Sequence, residues 1–208
     1  MKQLLLINAS PRGTQSVSRS LSSHLVERLQ ASQGALKVRE RDLTTSELPF
    51  LSQDLIKAYY TPDDKRSDEQ RALLRVSDSL VDELTGADIV VIAAPVWNFS
   101  LPAPVKAWID LVARIGKTFS YTAEGPHGLL KNRPVYVVKS SGGVFSEGPG
   151  KAMDFYEGYL GSVLGFMGLS DLTFIRAEGL SLPGQTETRI EDARKQIESV
   201  LHPALAAI

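Results

Sequence analysis

A short apolar run in the middle of the chain constrains its fold more than any other feature. Residues 88–93 are mostly β-branched and show no helical period. Such a run predicts a strand that is buried on both faces, as in a parallel sheet. The aromatic loop 94–102 follows, and apolar residues then recur at helical spacing, at positions 105, 108, 109 and 112. Pro102 and Pro104 suit the first turn of that helix, so a strand, a loop and a helix follow one another.

The same alternation of strands and helices extends over the whole chain. Further strands are predicted, with helices between them, at 4–7, 36–43, 134–139 and 172–175. This pattern predicts an α/β fold, a three-layer sandwich whose five-stranded parallel sheet has helices on both faces. Five strands fit the flavodoxin-like order 2-1-3-4-5. Within 117–133, polar and aromatic residues alternate over 118–122, and 124–128 contain turn residues. We therefore expect a hairpin-like excursion around 117–133 from a single domain spanning residues 1–208.

Composition and charge narrow the classes of partner. The chain has 23 basic and 24 acidic residues, a net charge of -1, which gives no bulk attraction to nucleic acid or to an acidic membrane. It contains no cysteine, and its histidines, His24, His127 and His202, are too far apart in sequence to predict a metal site. The N-terminal apolar stretch is too short for a signal peptide, and no run approaches the roughly 20 residues of a spanning helix. We therefore expect a cytoplasmic protein without membrane or nucleic-acid partners.

Three loops are expected to meet at one edge of the sheet, because strands 1 and 3 and strands 3 and 4 are neighbours in the predicted order. Ligands of open α/β sheets bind at this edge. The first loop offers the hydroxyls of Ser10, Ser16 and Ser18 before a helix N-terminus, which suits a phosphate. Helix capping by Ser16 or Ser18 explains the same residues without a ligand. The segment Ser140–Gly143 combines hydroxyls with glycines that let a ligand approach the backbone closely. A strand-to-helix turn without a ligand explains the same residues.

Flavin mononucleotide (FMN) is a ligand that satisfies all three loops together. Its phosphate suits the loop that contains Ser10, Ser16 and Ser18 (the serine loop), and its flat ring suits Trp97 and Phe99. Its pyrimidine edge suits donors from Ser140–Gly143 (the glycine loop). The sequence signatures of nucleoside triphosphate and dinucleotide sites are both absent. A bound flavin would carry the chemistry, which accounts for a sequence with no evident nucleophile, acid–base pair or metal cluster.

Five motifs in a fixed order make this interpretation specific: Pro95–Phe99, Asp110–Arg114, Thr118–Thr122, Gly125–Leu129 and Ser140–Gly143. They resemble the FMN-dependent NADH:quinone oxidoreductases known as azoreductases, and the resemblance covers nearly the whole chain. It implies a homodimer whose active site lies at the subunit interface, with FMN bound non-covalently. It also implies ping-pong transfer of hydride from NADH or NADPH through FMN to quinones or azo compounds.

The resemblance also implies, position by position, which residues form the site. Contacts with FMN are expected from Ser10, Ser16, Val17, Ser18, Pro95, Val96, Trp97, Asn98, Phe99, Ser140, Ser141, Gly142 and Gly143. Contacts with substrate are expected from Asn98, Tyr121 and Phe166, although core packing explains Phe166 equally well. Some family members carry Gln, Tyr and Arg where this chain has Val17, Trp97 and Ser141, and these differences bear on substrate range and redox potential.

Two alternatives share the predicted fold. A flavodoxin-type electron carrier, which does not itself oxidise NAD(P)H, usually has a strongly acidic face, and a net charge of -1 does not favour one. A phosphoacceptor signalling domain needs acidic residues after the first strand, where this chain has Asn8, Ala9 and Ser10. The excursion at 117–133 favours an enzyme with a substrate cleft.

Overall fold

A computed structural model describes residues 1–201, in which seven strands and six α-helices form. The strands are β1 (Lys2–Asn8), β2 (Leu36–Asp42), β3 (Ile89–Pro95), β4 (Phe119–Thr122), β5 (Gly125–Gly128), β6 (Val135–Ser140) and β7 (Leu172–Ala177). The helices are α1 (Val17–Gln33), α2 (Gln53–Tyr60), α3 (Asp68–Gly86), α4 (Ala103–Val112), α5 (Glu157–Phe166) and α6 (Thr186–Leu201).

Five of the strands form a parallel sheet in the order β2-β1-β3-β6-β7. The expected order 2-1-3-4-5 is therefore corrected to 2-1-3-6-7 in chain numbering. The difference arises because the predicted excursion supplies two strands of its own, β4 and β5, which pair antiparallel with each other outside the sheet. β2 lies at the sheet edge, in keeping with its charged sequence.

Helices cover both faces of the sheet because alternate residues of each strand point to opposite sides. Leu4 and Leu6 of β1 pack with residues of α1 and α6, whereas Leu5 and Ile7 pack with residues of α2, α3, α4 and α5. Trp108 of α4 is 1% exposed and belongs to the second of these cores. The central strands are thus buried on both sides and form a rigid support for the loops that follow them.

Local signals explain where several helices begin and end. Gly34 closes α1 at a φ of +80°, a conformation that glycine adopts without the steric cost of a side chain. The sequence predicts a helix around 150–166, but α5 begins only at Glu157, and a 3₁₀ turn occupies Gly148–Met153 instead. The carboxylate of Asp154 accepts hydrogen bonds from the N–H groups of Tyr156 and Glu157, which fixes the later start.

The sequence predicts His202 near the end of the last helix, and this residue lies outside the described residues. None of the helices between residues 1 and 201 combines the length and the hydropathy of a membrane-spanning segment.

Candidate functional site

The carboxyl ends of β1, β3 and β6 lie side by side at one edge of the sheet. The register pairs Asn8 with Ala93 and Pro95 with Ser140, so the three strands end at nearly the same level. The N–H of Val96 donates to the carbonyl oxygen of Ser140 at 2.8 Å, which continues the contact into the loops. The structure therefore places the three predicted loops next to one another.

The serine loop combines buried hydroxyls with unused backbone donors. Ser10, Ser16 and Ser18 are all buried. Ser16 caps α1 by accepting a hydrogen bond from the N–H of Arg19 at 3.3 Å, and its hydroxyl lies 3.2 Å from that of Ser18. The predicted capping role is therefore real, but it leaves the N–H groups of Val17 and Ser18, which have no partner within the helix. Together with the helix dipole, these donors can hold an anion.

Arg19 supports this loop and was missed from the sequence. Its guanidinium donates to the carbonyl oxygen of Ser10 at 3.1 and 3.0 Å and lies 2.7 Å from the carboxylate of Asp42. Burial alone would raise the pKa of Asp42, but contacts with Thr44 and Arg19 lower it below its ordinary value. A cation in the first turn of a helix opposes the helix dipole, and this unfavourable placement is the signal that the sequence offered.

The loop after β3 is a tight turn in a strained conformation. Trp97 and Ser100 exchange two backbone hydrogen bonds of 3.0 Å, and Asn98 and Phe99 between them have φ values of +47° and +69°. Positive φ is costly for a side chain as large as that of Phe99, and such strain is concentrated at functional sites. The N–H of Phe155 restrains the turn by donating to the Phe99 carbonyl oxygen at 3.1 Å. The Trp97 and Phe99 side chains remain 49% and 47% exposed and offer open flat surfaces.

The loop after β6 is held from behind by the segment that follows β7. Residues 179–181 donate backbone hydrogen bonds of 3.0–3.1 Å to the carbonyl oxygens of Ser141, Gly142 and Gly143. A Cβ atom at Gly142 would lie 2.5 Å from Ser181 Oγ, so glycine permits this close packing. Within the described part of the chain, the N–H groups of Gly142 and Gly143 make no hydrogen bond. They are two unused donors at the sheet edge.

A buried ammonium group lies beside the glycine loop. The side chain of Lys139, which precedes Ser140, is fully buried, and its Nζ lies 2.8 Å from Asp154 and 3.0 Å from both Glu157 and Glu178. Burial alone would lower the pKa of Lys139, but these carboxylates outweigh burial and raise it above its ordinary value. Burial alone would likewise raise the pKa of Asp154, yet its hydrogen bond from Lys139 and two from the backbone lower it. The sequence did not reveal this cluster, because its members are dispersed along the chain.

The residues predicted to contact substrate have a separate environment. Tyr121 is 65% exposed, and its ring meets that of Phe119 edge-on at 5.7 Å. Phe166 lies against the same Phe119 ring at 4.6 Å and packs against the core. No ring contact within residues 1–201 links Tyr121 or Phe166 to Trp97 or Phe99. Core packing of Phe166 is therefore observed, and its contact with substrate stays a prediction.

Comparison with known proteins identifies the family. A family model described as a flavodoxin-like fold matches residues 2–201. The FMN-dependent NADH:quinone oxidoreductase of Herminiimonas arsenicoxydans is 45% identical over 182 residues, which are 88% of this chain and 89% of that protein. The chain belongs to the FMN-dependent NADH:quinone oxidoreductase family. The family member of the same name from Beijerinckia indica is 41% identical over 97% of this chain and 100% of its own length.

Solved structures named as azoreductases share the architecture of this oxidoreductase family member. The azoreductase from Bacillus anthracis strain Sterne superposes with a TM-score of 0.90 at 29% identity, over 98% of this chain and 100% of the other. An FMN-dependent NADH-azoreductase from strain Ames Ancestor, solved in complex with FMN, superposes with a TM-score of 0.87 at 25% identity, over 98% and 99% of the two chains. The resemblance found in the sequence is confirmed, and these relatives give no support to the electron-carrier alternative.

The residues present fit the FMN that gives the oxidoreductase family its name. Buried hydroxyls and two free N–H groups at the start of α1 match a phosphate. The open rings of Trp97 and Phe99 match a planar ring system, and the unused N–H groups of Gly142 and Gly143 match acceptor atoms at its edge. Each part of the cofactor therefore has a chemical counterpart at the same edge of the sheet.

Proposed function

We propose that this chain is an FMN-dependent NAD(P)H:quinone oxidoreductase that also reduces azo compounds, by two-electron ping-pong transfer. The observation that carries the proposal is the meeting of three chemically different loops at the ends of β1, β3 and β6. One loop supplies anion-binding donors, one supplies open aromatic surfaces, and one supplies free backbone N–H groups. The names of the relatives and of the solved structures support the same activity.

In this proposal the serine loop holds the phosphate of FMN. Ser10, Ser16 and Ser18 contribute hydroxyls, and Val17 contributes its N–H. A backbone contact at Val17 is independent of side-chain type, so valine is compatible with the site even where other members carry glutamine. Arg19 keeps Ser10 in place through its carbonyl oxygen.

The ring of FMN lies, in this proposal, between the strained turn and the glycine loop. Pro95, Val96, Trp97, Asn98 and Phe99 contact the ring, and the segment Ser140–Gly143 contacts its pyrimidine edge. The hydroxyl of Ser141 donates to the carbonyl oxygen of Gly143 at 2.8 Å, so this side chain restrains its own loop. The arginine carried here by some members is therefore replaced by a residue that acts on loop shape.

When bound, FMN supplies hydride transfer from NADH or NADPH to a quinone or azo compound. The chain's own residues bind and orient, and the N–H groups of Gly142 and Gly143 offset negative charge at the pyrimidine edge. Asn98, at the tip of the turn, contacts the substrate together with Tyr121 and Phe166.

A homodimer with the active site at the subunit interface is part of the proposal. Phe155, beside the turn, is 61% exposed, and exposed apolar groups that cluster near a site are typical of surfaces that a partner covers. A cavity of about 590 Å³ beside the turn is lined by Leu101, Phe155 and Tyr159, among other residues. Single-domain organisation over residues 1–208 and a cytoplasmic location stay predictions of the sequence.

The visible spectrum of the protein supplied with FMN tests this function. We expect bound flavin that is bleached by NADH without oxygen and that recovers its absorbance when a quinone is added. A protein that binds FMN but transfers no electrons from NADH or NADPH would contradict the enzyme and favour a carrier. A protein that binds no FMN would contradict the assignment of all three loops.

A further inference from the structure

Lys139 is an unusual residue for the interior of a parallel sheet. Lysine is almost never fully buried unless it is paired, and Lys139 has none of its side chain exposed. Its ammonium is held by three carboxylates, none of which has a part in the proposed flavin contacts. Replacing a whole buried ion cluster by apolar residues of similar volume is often neutral or stabilising. Stability alone therefore gives a weak reason for an ion cluster at this position.

One line of contacts leads from Lys139 to the strained turn. Lys139 donates to Asp154 at 2.8 Å, and the adjacent Phe155 donates its N–H to the carbonyl oxygen of Phe99 at 3.1 Å. The carbonyl oxygen of Phe155 in turn accepts a hydrogen bond from the Ser100 hydroxyl at 3.1 Å. Phe155 thus holds both Phe99 and Ser100 of the turn. The contact between Lys139 and Asp154 in turn fixes the position of Phe155.

A second line of contacts leads from Lys139 to the glycine loop. Oε1 of Glu178 faces the ammonium at 3.0 Å as an ion pair, and Oε2 accepts a hydrogen bond from the N–H of Ser146 at 3.0 Å. Glu178 directly precedes the segment 179–181, which donates to the loop carbonyls. The Phe145 ring links the two lines, because it lies 5.7 Å from the ammonium and meets the Phe99 ring edge-on at 6.2 Å.

We propose that Lys139 is a positioning residue for FMN, an inference that rests on the proposed function. Its ammonium holds the strained turn and the glycine loop at the separation that the flavin ring requires, and it keeps a positive charge behind the pyrimidine edge. The cluster consists of two cations, Lys139 and Arg176, and three carboxylates, so it carries one net negative charge. Removal of the lysine charge makes this environment more negative, which disfavours a reduced flavin that carries negative charge.

The experiment compares Lys139→Met with the wild-type protein at neutral pH, in FMN affinity and in the midpoint potential of bound FMN. Methionine keeps most of the side-chain volume and removes the charge. We expect the Kd for oxidised FMN to rise at least tenfold, or about 1.4 kcal/mol. We expect reduced FMN to lose about tenfold more affinity than oxidised FMN, which lowers the potential of a two-electron couple by about 30 mV. A loss of packing alone weakens both redox states alike and leaves the potential unchanged.

Glu178→Gln keeps the inference testable if Lys139→Met does not fold. It removes a negative charge from the same cluster and loosens the same loop, so we expect weaker FMN binding with a higher potential. The opposite sign of the two potential shifts separates charge from packing. Arg114→Met and Glu83→Gln are matched controls, because Arg114 and Glu83 are buried and ion-paired away from the three loops. Both controls should retain the FMN affinity and potential of the wild type.

The inference is overturned if folded Lys139→Met retains either the Kd or the potential of the wild type, or if Glu178→Gln lowers the potential. These outcomes leave the proposed function intact, because the wild-type protein still binds FMN. A wild-type protein that binds no FMN overturns the proposed function itself, together with the role of Lys139.

Discussion

The serine loop, which in our proposal faces the phosphate of FMN, and the two loops proposed to face its ring are built in different ways. The serine loop draws its hydroxyls, its cap and its free N–H groups from one short segment, between Ser10 and Arg19. The turn Trp97–Ser100 is held instead by Phe155, which is 55 positions from Ser100 in the chain. The glycine loop is held by residues 179–181 and by Glu178.

This difference predicts how each region responds to substitution. A change in the locally built loop should affect only the part of FMN that it contacts. A change in the cluster of Lys139 and its carboxylates should affect the turn and the glycine loop together, because Lys139 contacts both Asp154 and Glu178. Local construction thus gives selective effects, whereas support from distant residues gives coupled ones.

The largest effect is expected from Asp154→Ala. The substitution removes a partner of the buried Lys139 and the two hydrogen bonds that start α5. Breaking a buried ion pair from one side typically costs roughly 3 kcal/mol in the free energy of unfolding, measurable by urea titration. Because Phe155 loses its anchor, FMN affinity should also fall at least tenfold, or about 1.4 kcal/mol.

Asp78→Ala is the matched control for Asp154→Ala. Asp78 also pairs with a buried cation, Arg114, at 3.1 Å, but away from the three loops. We expect a loss of stability without a loss of FMN affinity. Equal affinity losses in the two variants would show that global destabilisation, rather than loop support, weakens binding.

A selective effect on the phosphate side is expected from the double substitution Ser16→Asp and Ser18→Asp. Aspartate at position 16 can still cap α1, and carboxylates in the first turn of a helix interact favourably with its dipole, while the two added charges repel the phosphate. The Kd for FMN should rise about tenfold or more, equivalent to about 1.4 kcal/mol. The Kd for riboflavin, which lacks the phosphate, should stay unchanged in the same fluorescence titration.

The matched control places the same two charges on the exposed side of α1, at Ser20 and Ser23. Ser20→Asp with Ser23→Asp should leave the Kd values of both FMN and riboflavin close to the wild type. If the site variant binds FMN as tightly as this control does, the serine loop does not hold the phosphate.

The same contrast explains what the sequence could predict. Apolar runs and helical spacing located all five strands of the sheet. The serines at the start of α1 predicted a helix cap, which is observed at Ser16, and an anion site, which stays a prediction. These features depend on neighbours in the chain. The buried charges are far apart in the sequence, at Lys139, Asp154 and Glu178. Only the folded chain brings the carboxylates of Asp154 and Glu178 within 3.0 Å of Lys139 Nζ. Their role was therefore not predictable from local pattern.

Backbone strain at Phe99 was hidden for a related reason. A positive φ is readable from sequence where glycine or asparagine occupies the position, and phenylalanine gives no such signal. The strain persists because contacts from Phe155 and Phe145 determine the conformation of the turn. The late start of α5 likewise depends on Asp154, whose carboxylate is held by Lys139.

A smaller effect is expected from a pair of substitutions at Phe99. Phe99→Gly and Phe99→Ala both remove the ring, but only glycine relieves the positive φ of +69°. The glycine variant should therefore be more stable than the alanine variant by about 1 kcal/mol in thermal unfolding. Both should bind FMN more weakly than the wild type, because the open ring surface is lost. Equal stabilities would mean that the turn relaxes once the ring is gone.

The smallest effect is expected in the stability of the fold at low pH, to which both the serine loop and the Lys139 cluster contribute. The pKa values of Asp42, on the phosphate side, and of Asp154, on the ring side, are both lowered in the folded protein. A carboxyl group whose pKa is lowered by folding stabilises the fold at pH values above its ordinary pKa. This stabilisation disappears as the pH falls through the lowered pKa. The free energy of unfolding should accordingly be nearly constant above about pH 5 and should fall below about pH 4.

Salt should separate the two contributions. The Arg19–Asp42 pair is partly open to solvent, whereas the ammonium of Lys139 beside Asp154 is fully buried. Screening acts mainly on exposed pairs. High salt should therefore reduce the contribution of Asp42 to the fall in the free energy of unfolding at low pH, which is the contribution absent from Asp42→Asn. The contribution of Asp154, absent from Asp154→Asn, should be nearly independent of salt. Urea titrations of both variants over this pH range, at low and high salt, measure the difference. If salt changes both contributions equally, the Lys139 cluster is as open to solvent as the phosphate side, and the distinction between local and buried support fails.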